Sequence, residues 1–196
     1  GQGSQSPGMG KSLHDAFGAA REVFQEVDEA LGERLSRLIF EGPADDLTLT
    51  ANAQPALMAV SLAAMRALEL EFGVSATKAS FVAGHSLGEY SALAAAGALS
   101  VADAARLLRA RGNAMQAAVP VGQGAMAALI GKVDVKLAEE IAAAGQSAGV
   151  VVVANDNNVG NVVISGSKAG IDAALAAAKE KGARAIPLNV SAPFHS

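Results

Sequence analysis

In Ser80-Phe81-Val82-Ala83 a short apolar run leads into Gly84-His85-Ser86-Leu87-Gly88, and an alanine-rich helical pattern follows. Strand, tight turn, then helix is the order a nucleophile elbow requires. Glycines at 84 and 88 would remove Cβ atoms that clash where strand and helix approach. The turn then exposes the Ser86 hydroxyl at the start of the helix. The Leu87 N–H would lie at the positive helix end, where it can receive a developing oxyanion. Such an elbow predicts an α/β-hydrolase-like core built on a parallel sheet.

The chain has 196 residues, 51% of them apolar and only 4% aromatic, which suits alanine-rich helices packed closely on a sheet. Its net charge of −4, with scattered Lys and Arg, points to neither nucleic acid nor an anionic membrane surface. With no cysteine there is no disulfide framework, thiol nucleophile or zinc-thiolate site. No apolar run approaches the roughly 18 residues of a membrane span. The sequence opens at Gly1 without a methionine, so a missing leader is uninformative and cytoplasm is the default expectation.

Residues 1–11 read as a Gly/Ser/Gln-rich loop. Ser12 and Asp15 resemble a capping box, after which Leu13, Phe17, Ala20, Phe24, Val27 and Leu31 recur at helical spacing. Pro55 is expected to open a second helix reaching about Phe72, with Leu57, Ser61, Ala64 and Leu68 on one face. Ser100 and Asp103 cap another helix through about Ala117. The stretch 120–124 is a hinge, and beyond it the pattern changes. Strands are predicted at 125–130, 150–154, 162–165 and 184–188, with helices at 135–144 and 168–181. That βαββαβ order is a ferredoxin-like insert. The expected domains are a large subdomain over 1–120, the small one over 124–188, and a return segment over 189–196.

A serine nucleophile needs a base within hydrogen-bond reach, usually histidine. His14 falls in the first turn of an amphipathic helix and reads as a surface residue. His85 directly precedes Ser86, so its side chain leaves the backbone in another direction and reads as site wall. His195 remains, on a loop after a Pro-Phe pair. An isolated loop histidine is ordinarily surface decoration, but beside an elbow it becomes the candidate base.

On the helix from Ser100, Ala104, Leu107, Leu108 and Met115 form an apolar stripe with Arg111 in its middle, while Arg106 and Arg109 point to solvent. A core-side guanidinium is costly unless acceptors meet it. It either snorkels near the helix end, helped by Gly112, or clamps a substrate carboxylate. Charge-assisted hydrogen bonds of roughly 1.5–3 kcal/mol would let such a clamp favour a carboxylated acyl group by about 10- to 150-fold.

Other motifs fail on inspection. Gly10-Lys11-Ser12 ends like a phosphate-binding loop, but position 5 is Gln5 where glycine is required. Asn155-Asp156-Asn157-Asn158 matches no calcium loop and is expected to make a turn, with one asparagine, Asn155, lining a cleft. No metal site is expected.

Gly1-Gln2-Gly3-Ser4-Gln5, Gln54-Pro55-Ala56, the elbow, Arg111-Gly112-x-x-Met115 and Pro193-Phe194-His195-Ser196 occur in one order. Together they resemble the malonyl-CoA:acyl carrier protein transacylase family of fatty-acid and polyketide synthesis, in its free-standing bacterial type. The resemblance implies ping-pong acyl transfer with no cofactor. Ser86, activated by His195, takes malonyl from coenzyme A and passes it to the phosphopantetheine thiol of an acyl carrier protein. It implies backbone N–H groups of Gln2 and Leu87 as the oxyanion hole. Arg111 would hold the carboxylate beside Met115, and Gln54 and His85 would line the site. Phe194 before the histidine resembles the malonyl-selective members. A monomer is expected, and the charge balance already argues against nucleic-acid and membrane partners. Members begin with a strand before the first motif and continue past the last, so this chain is expected to be a fragment with little activity alone. Two alternatives stay open. One is a serine esterase or thioesterase using Asp156 or Asp172 as its acid; the other is a non-catalytic carrier-docking module.

Overall fold

The computed structural model describes residues 2–190 and 192–196. Gly1, the first residue of the Gly-Gln-Gly-Ser-Gln loop, and Ser191, in the return segment, lie outside the described residues. The protein is a mixed α/β structure whose chain divides into two compact units, Gly1–Ala114 and Met115–Ser196.

Helices dominate the first unit: α1 (Lys11–Ala16), α2 (Gly18–Leu31), α3 (Leu35–Glu41), α4 (Ala44–Thr48), α5 (Thr50–Phe72) and α6 (Gly88–Ala95), with α7 (Val101–Ala118) leading into the second. The single helix expected from Leu13 to Leu31 is two helices. Phe17 adopts an extended backbone (φ −123°, ψ 122°) and breaks the run. The expected Ser12–Asp15 capping box is absent. Gly10 caps α1 in the left-handed conformation, and Asp15 pairs with Lys11 and His14. Ser100 does cap α7, its Oγ accepting from the Asp103 N–H at 3.0 Å.

Helix α5 begins at Thr50, five residues before the expected Pro55 start, and Pro55 lies inside it. Its buried face is also not the expected one. Leu68 is exposed and Leu57 half-buried, whereas Ala53, Ala56, Ala59, Ala63 and Ala67 are buried with Met58 and Leu62. Small side chains let α5 pack against Ala20, Val23, Phe24 and Val27 of α2, and close approach outweighs side-chain size in choosing the face.

No strand is assigned among the described residues of the first unit. The apolar run before Gly84, expected as a strand of a parallel sheet, has no ladder partner, and Phe81 is 93% exposed. A strand exists only as a pair, so apolar character alone does not produce one.

The second unit runs β1 (Gly124–Ile130), α8 (Val135–Gly145), β2 (Val151–Asn158), β3 (Asn161–Ser167), α9 (Lys168–Glu180), β4 (Arg184–Pro187). Its sheet has the order β2-β3-β1-β4, with antiparallel pairings throughout. Alternation along β1 and β3 builds two cores. Ala127, Leu129, Val162 and Ile164 meet Ile141 and Ile171 from the helices, while Met126, Ala128 and Val163 meet Ala192 and Phe194 on the other face. The four residues 155–158 lie within β2 and are not the expected turn. The reversal falls at Val159-Gly160, where Gly160 supplies φ 80° and approaches the Gly131 carbonyl too closely for a side chain.

Candidate active site

Among the described residues, only two that are not glycine hold a positive φ: Ser86 at 55° and His195 at 61°. Such backbone conformations cost energy and persist where surrounding structure imposes them. At Ser86 the imposition is visible. A Cβ on Gly84 would lie 1.9 Å from the Gly88 carbonyl oxygen, so the chain doubles back on itself across the serine. Gly88 is different from expectation, with open space where its Cβ would be. Leu87, 4% exposed, is the N-cap of α6, and the first turn closes by Gly88 N–H to His85 O (2.9 Å) and Tyr90 N–H to Leu87 O (3.1 Å).

Arg111 faces the elbow. Its Nη2 donates to Ser86 Oγ at 3.1 Å, and its Nη1 donates to Gln54 Oε1. Gln54 is fully buried and hydrogen-bonded through Nε2 to Thr50 Oγ1 (2.8 Å), and Thr50 donates to Gln2 Oε1 (3.3 Å). The core-side cation is thus met by acceptors. The approach of α7 to α5 permits this, because a Cβ on Gly112 would lie 2.6 Å from Ala51 Cα. Gly112 is therefore a helix-crossing residue and no aid to snorkelling.

Arg109 does not point to solvent as expected. Only 19% of its side chain is exposed. It donates to the Ala51 carbonyl at 2.7 Å and also meets Asn52 and Glu33. The Ala51 carbonyl is the one that Pro55, lacking an N–H four residues on, leaves without its helical donor. Leu107, placed in the apolar stripe by spacing, is 46% exposed, and the buried face of α7 is Ala104, Ala105, Leu108 and Gly112.

In the second unit, Phe194 is 6% exposed and packs with Met126 and Ala192, with Met115 against the same cluster. His195 is exposed, and Pro193 presses on the start of β1, within 2.1 Å of where a Gly124 Cβ would be. Asn155 stands in β2 opposite Val163, beside a register shift. His85 is exposed, and it lines a groove of about 550 Å³ with Leu87, Val82 and Ser91; neither Ser86 nor Arg111 lines that groove. Among the described residues no group of three or more His, Cys, Asp or Glu side chains is placed to hold a metal ion, and no helix is long and apolar enough to cross a membrane.

Along residues 1–196 the sequence matches the acyl transferase domain. The chain belongs to that family. This acyl transferase domain is 51% identical over 197 residues to the malonyl CoA-acyl carrier protein transacylase of Bacillus subtilis (strain 168), covering 100% of this chain and 61% of that protein. It is 61% identical to the acyl-carrier-protein S-malonyltransferase of Bartonella henselae, with a TM-score of 0.91, covering 100% of this chain and 62% of that one. It also resembles, at 42% identity and a TM-score of 0.89 over 98% of this chain and 62% of that one, a malonyl-transacylase solved in complex with a type II polyketide synthase acyl-carrier protein. The acyl transferase domain thus spans 61–62% of the length of these relatives.

The roles of three residues around Ser86 and Arg111 escaped the sequence reading. Thr50 carries a signal, since it stands one helical turn before Gln54 on the same face. Gly112 carries one too, as a helix-interior glycine beside an arginine on a core face. For Arg109 the clue is Pro55, whose orphaned carbonyl asks for a donor from elsewhere.

Proposed function

We propose that this chain is the greater part of an enzyme that transfers malonyl from coenzyme A to the phosphopantetheine thiol of an acyl carrier protein. The observation that carries this reading is the Arg111 guanidinium, fixed by Gln54 and seated on Ser86 Oγ. A planar fork of donors beside a serine nucleophile is suited to an acyl group that ends in a carboxylate. A plain ester offers that fork nothing to bind.

Ser86 Oγ attacks the thioester carbonyl and passes its proton to His195. The oxyanion is received by the N–H groups of Leu87 and Gln2. The C–S bond breaks, the proton goes to the departing coenzyme A thiolate, and malonyl remains as an ester on Ser86. The carrier-protein thiol then gives its proton to His195 and attacks that ester, the Ser86 Oγ–acyl bond breaks, and His195 passes the proton to Ser86 Oγ, leaving malonyl as a thioester on the carrier. Arg111 holds the malonyl carboxylate through both halves, with Met115, Gln54, His85, Phe194 and Asn155 shaping the site. No metal or organic cofactor takes part, and the enzyme works in the cytoplasm, where coenzyme A thioesters are made. Residues 124–188 are a ferredoxin-like subdomain, a reading supported by the βαββαβ order and the strand order β2-β3-β1-β4, and the elbow in 1–120 is the feature that favours an α/β-hydrolase-like subdomain there. Residues 189–196 deliver His195.

The test is the intact mass of the full-length polypeptide carrying this chain, after mixing with malonyl-CoA or acetyl-CoA, beside Ser86→Ala and Arg111→Ala. A malonyl increment that requires Ser86, and an Arg111→Ala protein that loses malonyl but keeps acetyl loading, support the reading. Equal loss of both acyl groups in Arg111→Ala overturns the clamp.

A further inference from the structure

The polar residues around Ser86 form one directional chain, and its direction is fixed by what each group can do. Arginine only donates, so the Gln54 amide must turn Oε1 toward Arg111. Its Nε2 is thereby committed to the other side, where it donates to Thr50 Oγ1 at 2.8 Å. Thr50 accepts that bond with a lone pair and gives its single hydroxyl hydrogen to Gln2 Oε1 at 3.3 Å. The Gln2 amide is thus oriented in turn, with Nε2 buried and without a hydrogen-bond partner. Thr50 and Gln54 are both fully buried, so water does not substitute for the link between them.

We propose that Thr50 is a positioning residue, whose hydroxyl anchors the Gln54 side chain in place and so holds the Arg111 fork in register with Ser86. The same hydroxyl ties Gln2, from the N-terminal loop, to helix α5. This inference rests on the reading of Arg111 as a carboxylate clamp. Without the hydroxyl, the Gln54 side chain loses its anchor at Thr50, and Arg111 loses a fixed partner on the side away from the serine.

The experiment compares Thr50→Val, which keeps shape and removes the hydroxyl, with Thr50→Ser, which keeps the hydroxyl, in the full-length protein. The readout is the ratio of Ser86 loading by malonyl-CoA to that by acetyl-CoA, resolved into kcat and KM. Thr50→Val should lower the ratio roughly five- to tenfold through a higher KM for malonyl-CoA, any loss from freeing Gln2 falling on both acyl groups alike and leaving the ratio untouched, and Thr50→Ser should restore it. A general loss of structure would depress both acyl groups together. Should the valine protein fail to fold, Thr50→Ala against Thr50→Ser isolates the same hydroxyl. An unchanged ratio in the hydroxyl-free variants, with Arg111→Ala still abolishing malonyl preference, overturns the role of Thr50 alone. If Arg111→Ala itself keeps the preference, the clamp reading and this inference fall together.

Discussion

Arg111 Nη2 lies 3.1 Å from Ser86 Oγ, and Arg111 holds Gln54 through its other terminal nitrogen. The guanidinium donates, so the serine oxygen accepts and its own hydrogen is directed away from the arginine. Two simultaneous contacts at a set spacing need a planar fork. A lysine keeps the charge but presents a single point. Arg111→Lys should therefore lower the malonyl-to-acetyl loading ratio by about 10- to 150-fold, the range expected for losing charge-assisted hydrogen bonds. Loading assays by intact mass would show it; a lysine protein with native selectivity would mean that charge alone suffices.

Gly112 sets how near α7 comes to α5. An added methyl would meet Ala51 Cα at 2.6 Å and the Thr50 carbonyl at 2.8 Å, both backbone atoms with little freedom to move. Gly112→Ala should destabilise the protein by roughly 1–3 kcal/mol or more, as overpacking does. It should also impair malonyl loading more than acetyl loading, because Arg111 is displaced from Gln54. Denaturant melts paired with loading assays separate the two effects.

Arg109 and Pro55 form a coupled pair through the Ala51 carbonyl. Arg109→Met leaves that oxygen without its donor, a loss of about 1–3 kcal/mol. Pro55→Ala restores an N–H four residues on, so in that background the same change should cost less. A double-mutant cycle measures the difference. Additive costs would show that the carbonyl is satisfied in some other way.

Much of this was legible in the sequence, for reasons that differ by residue. Local backbone demands leave strong marks: the Gly84-x-Ser86 turn and the Ser100 cap are set by neighbours within a few positions. Arg111 was legible because a charge among small apolar neighbours breaks a period. The face of α5 was not. Leu57 and Leu68 outrank alanine in hydrophobicity, yet the alanines are buried, because the choice depends on how close α2 can come. The split at Phe17 and the length of β2 likewise depend on partners distant in sequence. Residues 155–158 look like a turn by composition and become strand because β3 is there to pair with them. Arg109 was misplaced because helical periodicity assigns faces and says nothing of a carbonyl orphaned on another helix.

Lys181 donates to Glu140 at 2.9 Å, joining α9 to α8, and this bond holds the Glu140 carboxyl below its ordinary value of 4.5. A depressed folded-state value contributes stability that is present above 4.5 and lost as pH falls through the folded value. The pair is exposed, so the effect is small and screened by salt. Comparing Glu140→Gln with the parent from about pH 7 to about pH 3, the difference in denaturation midpoint should shrink to nothing at the acid end. A difference that persists at low pH would assign it to packing.

The contact of Gly124 with Pro193 has a consequence for how such a chain can change. Gly124 opens the second unit's sheet, Pro193 stands six residues after its last strand, and the two approach closely, so everything between them leaves and returns at one point. Lengthening a closed excursion costs little, about 0.6 kcal/mol for each doubling of a flexible loop. Hairpins and helices within it are therefore able to grow, shrink or be exchanged while the spacing from Gln123 to Phe194 stays the same. The histidine that follows is carried by a stretch of chain whose anchor is indifferent to the cargo looped out before it.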